Sequence, residues 1–234
     1  MRNSQRVVVA VLGVLVVLLL GVASWIGLGV EPAPELSGQR TSRTYDYTGF
    51  EGLVVSGQWR VEVERGDTWA VTVDVPAEVV DDLRVELTGN TLSLGFERVW
   101  WFDDSGGDAQ LMRATITMPA LASVTLSGAP TLALSGFDGA RLALVTSGAA
   151  KIDGRASHFD TLALTMSGAG SVDLDEVSVT NAEVAVSGAA NLRLLMAGGK
   201  LTGRMSGAGN LVYLGTVSEQ SIVSSGVVNI RRGN

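Results

Sequence analysis

The chain has 234 residues, 46% hydrophobic and 18% charged, with a formal net charge of −7, which excludes a disordered or collagen-like polymer and suits one ordinary domain. It contains no cysteine, which excludes disulfides, thiolate zinc sites, thiol nucleophiles and lipid-modified cysteines. Its single histidine, His158, rules out a multi-histidine metal site and confines any Ser/His/Asp triad to one position. The 29 glycines amount to nearly double the usual share of about 7%, so many sharp turns are expected.

From Val7 to Val30 run 24 residues without a formal charge, preceded by Arg2 and Arg6 and followed by Glu31, Pro32, Pro34 and Glu35. A helix of that length is about 36 Å long against a hydrocarbon layer of roughly 30 Å, so residues 1–30 read as a membrane anchor with a cytoplasmic N-terminus. The competing reading is a cleaved signal peptide, with Val7–Leu20 as its apolar region and Gly21-Val22-Ala23-Ser24 as small residues for a peptidase. The anchor is preferred because the apolar run continues through Trp25, Ile26 and Leu28. Either way the remainder is exported to the periplasm or cell exterior. Without Arg2 and Arg6 it carries 15 basic and 24 acidic residues, a charge of −9, and is a poor partner for nucleic acid or anionic lipid.

Residues 31–44, with Pro32, Pro34, Ser37, Gly38, Thr41 and Ser42, read as a polar linker ahead of a domain over 45–234. Its first coil is marked by Leu53 and Val55 before Ser56-Gly57 and by Val61 and Val63 after it. Further strand-like runs follow at Trp69–Val75, Leu83–Leu87, Thr91–Phe96 and Arg113–Met118, with a hairpin turn at Thr88-Gly89-Asn90. This stretch is expected to form broader, irregular coils that cap one end of a solenoid.

The repeat is the strongest feature. Ser-Gly-Ala begins at Ser127, Ser147, Ser167, Ser187 and Ser206, with Ser-Gly-Val at Ser225, at spacings of 20, 20, 20, 19 and 19 residues. Five residues after each serine stand Leu132, Ile152, Val172, Leu192, Leu211 and Ile230, and apolar residues alternate with small or polar ones on both sides of each corner. A period of two means strands, and a strand, a corner, a second strand and a return turn every 20 residues describe one coil of a parallel β-helix. Neighbouring coils must stack before the inner face is buried. The corner pairs Ser127-Gly128, Ser147-Gly148, Ser167-Gly168, Ser187-Gly188 and Ser206-Gly207 are expected to be structural, with serine hydroxyls bonded along the ladder and glycine allowing the turn.

Three places are candidates for specific chemistry. Asp153, Asp173 and Arg193 lie six residues after successive corners, with Arg155 and Asp175 two residues further on, so all five should share one outward face. They superficially match the acid and base clusters of polysaccharide hydrolases and lyases. The preferred alternative is surface ion pairing, Arg155 with Asp175 and Arg193 with Asp173. Trp100, Trp101 and Phe102 precede an acidic loop, Asp103-Asp104-Ser105-Gly106-Gly107-Asp108. Adjacent tryptophans in a strand face opposite ways, so at least one could be exposed to a partner, a glycan or the membrane interface, but the preferred reading folds the loop over the first coil as a hydrophobic cap. The acidic loop lacks the ligand spacing of known calcium loops. His158, in a return turn beside Phe159 and Asp160, has no evident nucleophile.

The run Phe50-Glu51-Gly52-Leu53-Val54-Val55-Ser56-Gly57, then Val61-Glu62-Val63 with Gly66-Asp67, Leu92-Ser93-Leu94 and the Ser-Gly-Ala repeats together resemble the head GIN domain family of bacterial proteins, labelled auto-transporter adhesins. The resemblance covers about residues 44–234. It implies an exported right-handed parallel β-helix without cofactor and without catalytic residues to transfer. The expected function is therefore a structural or adhesive module of the cell envelope, held at the membrane through residues 7–30 and binding an envelope protein or glycan. The alternative is a carbohydrate-active enzyme using Asp153, Asp173 and Asp175. Self-association through exposed coil ends is a third possibility.

Overall fold

The computed structural model describes residues 37–97 and 112–233, and the anchor or signal segment and Trp100, Trp101 and Phe102 lie outside these. Thirteen strands follow in chain order: β1 (Arg40–Tyr45), β2 (Gly52–Gly57), β3 (Trp59–Arg65), β4 (Ala70–Pro76), β5 (Leu83–Thr88), β6 (Thr91–Phe96), β7 (Met112–Met118), β8 (Ser123–Gly128), β9 (Thr131–Ser135), β10 (Asp138–Arg155), β11 (Ser157–Ala197), β12 (Lys200–Thr216) and β13 (Glu219–Arg232). The only helical turn among the described residues is a 3-10 turn at Ala77–Val79. The fold is all-β and solenoidal, about six turns in all.

Alternation drives each strand inward on one side. In β3, Trp59, Val61 and Val63 are buried while Glu62 and Glu64 face solvent. Stacking is parallel and in register: Leu132 lies beside Ile152 and Ile152 beside Val172, while Leu192 lies beside Leu211 and Leu211 beside Ile230. Leu132, Ile152, Leu164, Leu174 and Leu211 are all fully enclosed, each worth roughly 1.5–3 kcal/mol of apolar burial. At about 4.8 Å per rung, the six regular corners span roughly 25–30 Å.

The change from a period of 20 to 19 is absorbed away from the corner. Gly188 still lies against Gly168, an offset of 20, whereas Lys200 N–H donates to Asn181 Oδ1 at 3.0 Å and Leu201 to Thr216 pair with the second half of β11 at an offset of 19. The missing residue falls in the return turn at Ala197-Gly198-Gly199, where Gly198 has φ +94°. The Ser-Gly corners therefore stay in column.

That column is organised by glycine more than by serine. Gly128, Gly148, Gly168, Gly188, Gly207 and Gly226 all have φ between +88° and +130°, and the place of each absent Cβ is filled by the backbone of the glycine one rung below. The expected hydroxyl ladder is made at its first step, where Ser127 Oγ donates to Ser56 Oγ at 3.0 Å. The later corner serines make no such bond among the described residues, and Ser167, Ser187, Ser206 and Ser225 are exposed to solvent.

The stretch between the first and second corners does close one end, but by antiparallel pairing where irregular coils were expected. β6 and β7 form a rung beneath β2 and β3, on the side opposite β8 and β9, so the coil at Ser56 is internal. β4 then runs antiparallel along β7, β1 along β4, and β5 along β6. The β5–β6 hairpin turns at Gly89-Asn90, with Gly89 at φ +61°, as its glycine foretold. Trp59 stacks on Phe96 with ring centres 5.6 Å apart and donates its indole N–H to the Ser56 carbonyl. Arg40–Thr44, assigned to the linker on composition, are strand residues here, with the Arg40 guanidinium paired to Asp74 at 3.0 Å.

Candidate functional site

Immediately after the Ser-Gly pair of each Ser-Gly-Ala corner the chain carries two residues with short side chains and then a polar one. The small pairs are Ala129-Pro130, Ala149-Ala150, Ala169-Gly170, Ala189-Ala190 and Ala208-Gly209. Because they hardly project, the corner is hollowed along the stack into an open groove of about 630 Å³. Its floor cannot be raised by small changes at every rung: a Cβ at Gly170 or Gly209 would run into the carbonyl of Ala150 or Ala190. The outer alanines, by contrast, are solvent-exposed.

One wall of the groove is a polar ladder, Thr131, Lys151, Ser171 and Asn191, continued in register by Asn210 and Asn229. Asn210 Nδ2 donates to Asn191 Oδ1 at 3.1 Å, which fixes the orientation of both amides. Beyond Asn191 a smaller depression of about 330 Å³ continues between Asn210, Asn229, Arg193 and Arg231. The surface thus repeats hydrogen-bonding groups at strand spacing over an apolar floor, an arrangement suited to an extended ligand lying along the stack. The groove had a signal in the sequence that the corner serines overshadowed: the short side chains two and three positions after Ser127, Ser147, Ser167, Ser187 and Ser206.

The charged face lies beside it. Asp153 aligns with Ala133 and Asp173, and Arg193 with Val212, as the spacing requires. The Arg193–Asp173 pair is as expected and the Arg155–Asp175 pair is not. Arg193 reaches both acids, Nη2 to Asp175 Oδ2 at 2.7 Å and Nε to Asp173 Oδ1 at 3.7 Å, and Arg155 takes no part. One guanidinium presents several donors in a fork and spans two carboxylates of a single strand, so it satisfies Asp175 before Arg155 can. Asp153 pairs instead with Lys151 of its own strand at 3.2 Å. All these groups are partly exposed, and nothing encloses a carboxyl as a general acid requires.

His158 faces Asp160 at 3.5 Å in the return segment. The neighbouring Ser157 is committed to the fold: its hydroxyl donates to the Arg155 carbonyl at 2.8 Å and accepts from Phe137 N–H at 3.1 Å. No nucleophile and base are brought together there. Among the described residues, no three histidine, aspartate or glutamate side chains converge as metal ligands.

No curated protein matches the chain in sequence. Among solved structures it is similar to an adhesin-like protein of Bacteroides fragilis, with a TM-score of 0.62 and 15% identity over 87% of this chain and 100% of that one. A protein of Parabacteroides distasonis, described as a lipid binding protein, gives a TM-score of 0.50 and 15% identity over 86% of this chain and 99% of that one. Identities this low speak for the shared fold alone. A family model described as "Putative auto-transporter adhesin, head GIN domain" matches residues 49–194 and 163–233, so nearly the whole described solenoid is accounted for and the chain belongs to the head GIN domain family.

Proposed function

We propose that this protein is a non-enzymatic binding module of adhesive type, displayed outside the cytoplasm, whose ligand lies along the groove beside the Ser-Gly-Ala corner. The observation that carries this reading is the groove's continuity: Ala129 to Gly209 form one floor across five rungs, with a hydrogen-bonding side chain on each rung of the wall. Membership in an adhesin-labelled family supports the same class of function. A stack held by backbone ladders is rigid before the ligand arrives, so little ordering entropy opposes binding, and weak contacts repeated on successive rungs add within one ligand. The ligand class is an envelope glycan or an extended protein segment. Export follows from residues 1–30, with residues 7–30 as the anchor, and the coil is read as right-handed, as parallel strand crossovers are.

The test is a glycan-array and envelope-fraction binding screen of the protein beside two variants. Ala169→Tyr with Ala189→Tyr fills the groove from exposed positions, and Trp100→Ala with Trp101→Ala removes the aromatic pair. Saturable binding lost only in the first variant, with the circular dichroism spectrum unchanged, is the expected result. Loss only in the second moves the contact to the 97–113 loop. Binding by none of the three proteins refutes the adhesive reading and leaves a structural scaffold.

A further inference from the structure

β13 pairs with β12 along one edge and with no described strand along the other. The outer strands at the opposite end are defended, β1 by Arg40 and Arg43 and β5 by Arg84 and Glu86, the charged edges with which sheets resist pairing. β13 is the reverse. Val223 and Val227, 68% and 82% exposed, are the exposed large hydrophobic side chains of the described residues, and Ile222, Val228 and Ile230 beside them are only partly covered. The floor of the proposed ligand groove lies on the earlier rungs, Ala129 to Gly209, and only Asn229 and Arg231 of the smaller depression belong to this strand.

We infer that β13 is a dimerisation edge, at which a second copy of this chain pairs its own β13 antiparallel about a two-fold axis through Ser225. The strand is self-complementary in three respects. First, it bends at Ser225-Gly226, where Gly226 has φ +99°, and the arms on either side of Ser225, Glu219–Ser224 and Gly226–Arg231, are six residues each. A two-fold axis through the corner lays the first arm of one copy along the second arm of the other. Second, the faces agree. Aligned with the buried positions of β12, Ile222, Val228 and Ile230 point inward and Val223, Val227, Asn229 and Arg231 outward. With Ser225 opposite itself, Val223 meets Val227 of the second copy, Ile222 meets Val228 and Ser221 meets Asn229, like with like apart from Gln220 opposite Ile230. A slip by one residue would set every inward side chain against an outward one.

Third, the charges agree. Glu219, on the outward face, falls opposite Arg231 of the second copy. Glu219 already accepts from Lys200 Nζ at 2.7 Å on the rung below, so the row across the junction reads Lys200, Glu219, Arg231, alternating in sign. A slip by two residues in either direction removes both the valine pair and the charge pair. Because the contact is two-fold, it closes on itself: each copy uses the edge that lacks charged protection among its described strands, and the result is a dimer instead of a fibre.

The absence of native cysteine makes the register directly readable in the full chain, kept in detergent or in the membranes of expressing cells. Opposed residues of an antiparallel pair have Cα atoms about 4.5–5.5 Å apart, inside the range a disulfide spans. Ser225→Cys should therefore cross-link to itself under mild oxidation roughly tenfold or more faster than Ser187→Cys, the equivalent corner within the stack, because pairing raises the local thiol concentration. Val223→Cys and Val227→Cys should each stay largely uncross-linked alone and give covalent dimer when mixed. Without any cysteine, the native chain should run as a dimer in light scattering, and Val223→Lys with Val227→Lys as a monomer with an unchanged circular dichroism spectrum. Equal rates for Ser225→Cys and Ser187→Cys, self-linking of Val223→Cys as fast as the mixture, covalent capture of a different protein, or a monomeric native chain would each overturn the inference.

Discussion

Replacing Gly188 by alanine tests the glycine column, with Gly57→Ala as its internal control. Both residues hold a backbone that side chains resist, φ +130° at Gly188 and +111° at Gly57, a strain of about 1–3 kcal/mol each. They differ in what a methyl group would meet. At Gly57 the nearest atom is the Trp59 indole nitrogen at 3.6 Å, an ordinary contact. At Gly188 the methyl would overlap the Gly168 carbonyl oxygen and lie 3.1 Å from its nitrogen, both backbone atoms fixed by the neighbouring rung. Parting two rungs to admit it adds the cost of an overpacked core, about 1–3 kcal/mol. Gly188→Ala should thus lose about 4 kcal/mol and Gly57→Ala about 2. At about 2–4 °C per kcal/mol for a domain of this size, the melting temperature falls by roughly 8–16 °C and 4–8 °C respectively.

The assay is thermal unfolding followed by far-ultraviolet circular dichroism and by tryptophan fluorescence together. Trp59, in β3, and Trp69, just ahead of β4, are the tryptophans of the described residues, so in a background with Trp25, Trp100 and Trp101 changed to Phe coincident curves mean that the stack melts as one unit, which a repeat array does not guarantee. Equal losses at Gly57 and Gly188 would refute the argument from rung contact. No loss at either would refute the argument from backbone conformation as well.

Ser157→Ala should cost about 1–3 kcal/mol in a urea titration, because it leaves the Phe137 N–H buried without its acceptor. Arg193→Ala, which frees two exposed carboxylates, should change stability by no more than about 1 kcal/mol, and less in high salt; a larger loss would show that the acidic face is under greater stress than its exposure implies. The Ser37 hydroxyl, helped by backbone N–H groups of Ser37 and Glu78, holds the Glu78 carboxyl below the ordinary glutamate range. Its stabilising contribution is complete above the unfolded-state pKa and is lost as pH falls through the lowered folded value. Titration by NMR should place the Glu78 midpoint below that of exposed glutamates, and Ser37→Ala should move it upward.

Much of the solenoid was legible because its determinants are local. The alternation in Val61-Glu62-Val63 needs two residues to be read, and the hairpin at Gly89 needs one glycine between two strands. The six corners need only a count along the chain. In-register stacking then follows, since identical coils bury their inner faces best by aligning Leu132, Ile152 and Val172. Residues 40–44 were misread for the opposite reason: Arg-Thr-Ser-Arg-Thr has a linker's composition, and it becomes a strand only because β4 offers it an edge.

By itself, the sequence determined the fold class, the coil length, the corner positions and the family, all properties of a repeat whose neighbours in space are copies of itself. Tertiary structure alone decided which rung lies where at the antiparallel end, since β7 sits beneath β3 through pairs of residues 53 apart in the chain. It decided that Arg193 and not Arg155 holds Asp175, a choice between side-chain reaches that spacing leaves equal. It also decided the groove and the open edge. Concavity and an unpaired strand are properties of surfaces, and a surface exists only after the chain has chosen what to bury.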